Sequence, residues 1–174
     1  MYKRQINISS KARVKNTTII ILGNNHLINI DERSVIKDSE FWLEDSNNSV
    51  ILGKIVRMNG VHLAVTEINT LIKIGDDCLF SKGIDIRTGD SHSIIDLESN
   101  KKINFASNVI IGDHVWIGKD VTILKSSVIN SNSIVGTKSL VAGVIPANSL
   151  AAGIPAKVIK SNISWDIERF YEPQ

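Results

Sequence analysis

Between residues 105 and 146 apolar positions recur every sixth residue. Written in sixes the stretch reads FASNVI, IGDHVW, IGKDVT, ILKSSV, INSNSI, VGTKSL, VAGVIP. Phe105, Ile111, Ile117, Ile123, Ile129, Val135 and Val141 open the seven units. The fifth places hold Val109, Val115, Val121, Ser127, Ser133, Ser139 and Ile145, mostly small or β-branched. A fixed internal period of this kind builds a solenoid, in which each coil touches only its neighbours and the inward residues stack on like residues above and below. Three units per triangular turn give three parallel sheets, with the small fifth-place residues at the tight corners.

The same frame runs through the earlier chain with interruptions. After a polar start at Met1 to Gln5, Ile8, Val14 and Ile20 keep step, with Ala12 and Thr18 at fifth places. Gly23, Asn24 and Asn25 read as a turn. Ile30, Ile36 and Trp42 then resume the inward series with Ser34 as a fifth-place residue, and Asp45 to Ser49 breaks it again. From Val50 the inward slots fall on Val56, His62, Ile68, Ile74, Phe80 and Ile86, which puts a histidine in an aliphatic slot and Cys78 at a small inward place. Twenty units in all predict between six and seven coils.

Regularity fails between Arg87 and Asn104, where TGDSHSIIDLESNKK is polar and charged. A long excursion from a regular scaffold is where chemistry is to be sought. After Pro146, ANSLAAGIPAKVIK closes the last coil, and SWDIERFYE (164 to 172) opens with a serine that predicts a short C-terminal helix on an imperfect capping box.

Composition narrows the function. A chain of 174 residues, 43% hydrophobic, suits one domain with a packed core. The net charge of +2, from 20 basic and 18 acidic residues, points to neither nucleic acid nor a membrane surface. One cysteine makes no intrachain disulfide, and no apolar leader or membrane-spanning run is seen, so the expected compartment is a reducing cytoplasm.

The repeats resemble those of the left-handed parallel β-helix acyltransferases over roughly residues 6 to 160. GDHVWIG (112 to 118) followed by AAGIPAKVIK (151 to 160) resembles the maltose, galactoside and capsular polysaccharide O-acetyltransferase branch, and TGDSHSIID (88 to 96) is similar to the active-site segment of the capsular type. The resemblance implies an all-β fold: a single left-handed β-helix domain over 1–174, with repeats at about 6–146, a protruding loop at about 87–104 and a closing segment with helix at about 147–174. It implies acetyl-CoA as co-substrate, no metal, and a homotrimer whose sites lie between subunits. His92 takes the place of the catalytic histidine, and Trp116 that of a wall of the acetyl and acceptor pocket. Coenzyme contacts fall on Lys119, Thr137, Ala142, Gly143, Lys157 and Lys160. The last two are often arginine in the sugar acetyltransferases, and lysine keeps the charge without the bidentate fork. Asp90 is expected to contact the acceptor or orient His92, or to be a turn residue. His62 is a structural residue or reaches the acceptor, while His114 faces solvent and His26 lies in a turn.

The departures bear on the acceptor. The maltose and galactoside enzymes carry an N-terminal helical segment and a substrate-binding asparagine on an earlier coil; here the repeats start at once, and Gly60, Val61 and His62 stand near the asparagine's place. A polysaccharide or large glycan therefore suits the acceptor end. The histidine fits the chemistry, because an alcohol attacking a thioester needs its proton removed and a neutral imidazole removes it at neutral pH. N-acetylation of an amino sugar nucleotide is the alternative reaction on this scaffold. A γ-type carbonic anhydrase would need closely paired histidines, and His26, His62, His92 and His114 are widely spaced. A non-catalytic binding or structural solenoid remains the third reading.

Overall fold

The computed structural model describes residues 4–171, so Met1 to Lys3 of the polar start and Glu172 to Gln174 lie outside it. Three parallel sheets wrap one core. The first face stacks β1 (Arg4–Ile8), β4 (His26–Ile30), β7 (Ser49–Leu52), β10 (Leu71–Ile74), β15 (Val109–Ile111), β18 (Val128–Ile129) and β21 (Val144–Ile145). The second stacks β2 (Arg13–Lys15), β5 (Val35–Lys37), β8 (Arg57–Asn59), β11 (Leu79–Phe80), β16 (Trp116–Ile117), β19 (Ile134–Val135) and β22 (Ser149–Gly153). The third holds β3 (Thr18–Ile21), β6 (Glu40–Leu43), β9 (Val61–Val65), β12 (Ile84–Arg87), β17 (Thr122–Ile123) and β20 (Leu140–Val141). Each coil gives one strand to each face, so the chain makes six full turns and two strands of a seventh. β23 (Ala156–Ser161) then turns back antiparallel on β22.

Coil length is not constant. Leu27 pairs with Ser49 and Ser49 with Leu71, a step of 22 residues. On later coils Ile110 pairs with Val128, a step of 18. The extra residues sit at the edge between the third and first faces, where Asn24, Ser46 and Ile68 form a short ladder of bridges. Beneath that ladder runs a buried polar column. Asn48 accepts from the Thr70 N–H at 2.8 Å, and the Thr70 hydroxyl lies 3.2 Å from that of Thr88. At its lower end, His26 is buried with both ring nitrogens engaged, one by the Leu22 carbonyl and one by the Asn48 N–H. These bonds satisfy most of the polar groups buried at the wider corners, although Thr66 Oγ1 is buried there without a partner.

The longer coils correct the sixfold frame. Trp42, His62 and Ile68 are not inward: their neighbours Phe41, Leu63 and Val61 fill the core, and Ile68 is 63% exposed. Phe105 is also outside, because the strand resumes only at Val109. From Val109 onward the frame holds, with Ile111, Val115, Ile117, Val121, Ile123, Ser127, Ile129, Ser133, Val135, Ser139 and Val141 all buried. Buried corner serines bond to backbone carbonyls, as Ser133 does to Pro146 O at 2.7 Å and Ser139 to Gly136 O at 2.7 Å.

The expected C-terminal helix is absent from the described residues. Ile163 N donates to Asn148 O, and Trp165 is held by His114 at its ring and its carbonyl, so the chain runs extended down an edge of the solenoid. These tertiary bonds outweigh a weak local cap.

Candidate active site

The long excursion leaves at the edge between the third and first faces, on top of the stacked wide corners. It carries a short antiparallel hairpin, β13 (Ile95–Asp96) with β14 (Lys101–Lys102). Its base is closed by Ser107 N donating to Thr88 O at 2.8 Å. From the coil below, Glu67 pairs with Lys102 at 2.6 Å, and from the coil above Lys125 reaches both Asp90 and Asn104 O.

Asn104 is the anchor of the segment around His92. Its buried side chain accepts from Ile94 N at 2.7 Å and donates to Asp90 Oδ2 at 2.9 Å and to His92 O at 2.8 Å. Three alternate residues are thereby tied to one amide. Ser91 takes a left-handed φ of 64°, and His92 N bonds to Asp90 O, so the chain turns sharply and presents the imidazole outward. That ring makes no hydrogen bond to the described residues, leaving it open to a substrate. Gly89 is required below it, since a Cβ there would lie 2.4 Å from Thr66 Oγ1. The Asp90 carboxylate contacts Lys125 and Asn104 and not the His92 ring, and these bonds hold its pKa below the ordinary value.

His92 and Ser91 stand on the rim of an open cleft of about 430 Å³ whose other walls are Trp42, Glu44, His62, Ala64, Thr66 and Arg87. Outward columns of the third face make its floor. Strand register aligns Glu40, His62 and Asp85 in one column and Trp42, Ala64 and Arg87 in the next. The His62 Nδ1 lies 2.7 Å from Asp85 Oδ1, and Arg87 donates from two nitrogens to Asp85 Oδ2 at 2.8 and 2.7 Å. Burial of Asp85 opposes its ionisation, but the His62 bond and the Arg87 charge outweigh it and its pKa is lowered. The Trp42 indole donates to Glu44 at 3.0 Å. The cleft thus offers a ring face, fixed hydrogen-bonding groups and an unencumbered imidazole, a combination suited to holding a sugar beside a base.

Other predicted residues lie elsewhere. Ala142, Gly143 and Lys157 line a second recess of about 280 Å³ with Val144, Pro146 and Ala156, on the same edge as His92 but two coils on. Nothing lies within 4 Å of a Cβ built on Gly143. Lys160 is on the same strand as Lys157, opposite Leu150. Lys119 and Thr137 are exposed at the edge between the second and third faces, where Lys138 N bonds to Lys119 O. Trp116 projects from the second face, 38% exposed. One chain therefore gathers His92 with His62 and Asp90 and, two coils on along the same edge, Ala142 and Gly143 with Lys157, while Trp116 lies on the second face and Lys119 and Thr137 on its edge with the third.

Residues 108–143 match the model of the bacterial transferase hexapeptide family, six repeats. A solved structure of a polysialic acid-specific acetyltransferase is 32% identical, with a TM-score of 0.86 over 93% of this chain and 74% of that one. The chain belongs to the hexapeptide-repeat transferases. A polysialic acid O-acetyltransferase of Escherichia coli O1:K1 is 40% identical over 130 residues, 68% of this chain, and this chain spans 42% of that relative's length. A galactoside acetyltransferase solved with coenzyme A, 21% identical over 91% of this chain and 70% of its own, shares the fold at a TM-score of 0.51. The parallel three-faced solenoid is thus the left-handed β-helix of this transferase family.

Several site residues escape a reading of the repeat alone. Trp42 becomes visible once the early coils are counted at 22 residues, because it then aligns with the outward Ala64, and Arg87 joins that column only through a further step of 23. Asn104 and Lys125 carry no local signal, since their partners are set by the folding of the loop. His114, expected to face solvent, is clamped between Asp77 at 2.9 Å and the Trp165 carbonyl at 2.9 Å. No group of three or more His, Cys, Asp or Glu able to hold a metal occurs among the described residues, and none of their helices is long and apolar enough to cross a membrane.

Proposed function

We propose that this hexapeptide-repeat transferase moves an acetyl group from acetyl-CoA to a hydroxyl of a sugar in a polysaccharide or glycoconjugate, with His92 as general base. The observation that carries the reading is the presentation of His92: a loop pinned from both sides holds an imidazole with both nitrogens unclaimed at the rim of a sugar-sized cleft. The relatives named for polysialic acid make that polymer the first acceptor to test.

In this reaction the acceptor hydroxyl loses its proton to the His92 imidazole as its oxygen attacks the thioester carbonyl. The new C–O bond forms, the C–S bond breaks, and the proton passes to the departing thiolate. General-base assistance of this kind contributes roughly 10²- to 10⁴-fold, and alignment of the two substrates supplies much of the rest. The low relief of Ala142 and Gly143 suits a thin pantetheine arm, with Lys157 in the same recess and Lys160 on the same strand placed for its phosphates. Separation of Trp116, Lys119 and Thr137 from His92 within one chain favours a homotrimer in which the second face of one copy meets the loop of the next. The hairpin region supports this, because Ile94, Leu97, Ile103 and Phe105 are all more than half exposed. Asp90 acts by holding the loop, and His62 by fixing Asp85 and Arg87 in the acceptor cleft.

The test is thiol release from acetyl-CoA with polysialic acid and a panel of neutral polysaccharides. His92→Ala is expected to lose turnover at least 10²-fold with its Tm and coenzyme affinity retained. Wild-type turnover in that variant removes His92 from the chemistry, and absence of both turnover and coenzyme binding in the native protein overturns the enzymatic reading.

A further inference from the structure

The chain beyond β23 descends the edge between the first and second faces and closes on His114 through a reciprocal pair. The Trp165 indole donates to His114 O at 2.8 Å, while His114 Nε2 meets Trp165 O at 2.9 Å. The two rings stack at 4.4 Å between centroids with 9° between planes. Behind the imidazole, Asp77 holds Nδ1 at 2.9 Å and is itself paired with Arg57 at 3.4 Å. Both ring nitrogens of His114 are thus engaged, one by the Asp77 carboxylate and one by the Trp165 carbonyl.

This assembly ends against Trp116. The Trp165 and Trp116 rings lie 6.2 Å apart at 49°, a tilted contact within the favourable range for aromatic pairs. Along the second face Trp116 has Leu79 below it and Ile134 above it in register, and its indole is 38% exposed. We infer that Trp165, locked by His114, is a positioning residue that fixes the orientation of the Trp116 ring and so the wall of the acetyl pocket. The inference rests on the reading of Trp116 given above. It makes the segment after β23 part of the catalytic apparatus without contact with substrate.

A double-mutant cycle on coenzyme affinity and on kcat/KM for acetyl-CoA tests it, with Trp116→Phe, Trp165→Ala and the pair. Trp165→Ala is expected to lower kcat/KM about tenfold, Trp165→Phe to restore most of it by returning a ring, and the Trp165→Ala loss to shrink to less than threefold in the Trp116→Phe background. Acrylamide quenching should rise in Trp165→Ala beyond the loss of one fluorophore, reporting a freed Trp116. A merely structural clip would lower Tm while leaving kcat/KM unchanged well below Tm, and that result overturns the inference, as do additive losses in the cycle. The Trp116→Ala variant separates the two levels: if it keeps full turnover, the reading of Trp116 itself is wrong; if it loses turnover while Trp165→Ala does not, only the positioning role is wrong.

Discussion

Replacing Asn104 by aspartate tests how the base is held, because the change is nearly isosteric and reverses the chemistry at one atom. The amide now donates to Asp90 Oδ2 at 2.9 Å and to His92 O at 2.8 Å. Aspartate keeps the acceptor for Ile94 N but loses both donors, and each lost bond costs about 0.5–1.5 kcal/mol. It also sets a second carboxylate against Asp90 at about 3 Å, where repulsion ranges from roughly 1 kcal/mol in bulk water to 6 kcal/mol at an effective dielectric of 20. Asp90 is exposed and already paired with Lys125, so the lower half of that range applies. The sum, about 2–6 kcal/mol, is expected to exceed what holds a surface loop in one place, and the His92 segment should swing away while the solenoid stays folded. A displacement of about 1 Å costs on the order of 10²-fold in rate. The assay is thiol release under saturating acetyl-CoA, with coenzyme affinity by calorimetry and Tm by scanning calorimetry. We expect kcat to fall about 10²-fold with coenzyme Kd within twofold of native, since the recess at Ala142 and Gly143 is two coils away. Native kcat in Asn104→Asp would refute the argument that this amide positions the base.

Gly89→Ala places a methyl 2.4 Å from Thr66 Oγ1 beneath the loop, which should cost about 1–3 kcal/mol and lower kcat more than it lowers Tm; equal Tm and kcat to native would show that the loop root has room. Cys78 is buried and its thiol is pushed up to about 12 by desolvation, so an aromatic disulfide reagent at pH 8 should label it only as the chain unfolds, and rapid labelling of native protein would contradict its packing. Asp90, Glu67 and Asp85 all have lowered pKa values in the fold, the first two chiefly through Lys125 and Lys102, the third through His62 and Arg87 against the opposing effect of burial. Groups depressed on folding contribute stability above the unfolded value near 4 and lose it as pH falls through the folded value, so Tm should drop below about pH 4, less steeply in Asp90→Asn; a flat profile there would deny these pairs any role.

The late coils could be read from the chain alone because their period is strict from Val109 to Val141, so an inward residue is fixed by counting. The early coils could not, because four extra residues per turn enter at one edge, and their accommodation depends on a buried column of Asn48, Thr70 and Thr88 that spans three coils. Counting through them at six turned Trp42 and His62 inward, when both line the cleft beside His92. The segment that carries His92 stood out in the sequence by its resemblance, whereas the groups that hold it did not. Asn104 meets Asp90, His92 and Ile94 only because the hairpin folds back, and Lys125 reaches them from the next coil. The terminal segment shows the same division: its serine start favoured a helix locally, but stacking of Trp165 on His114, 51 residues away, decides for an extended course. Sequence periodicity determined the solenoid, because stacking of like residues is a nearest-neighbour property; the set of groups around His92 was decided by contacts between coils, whose partners no local pattern encodes.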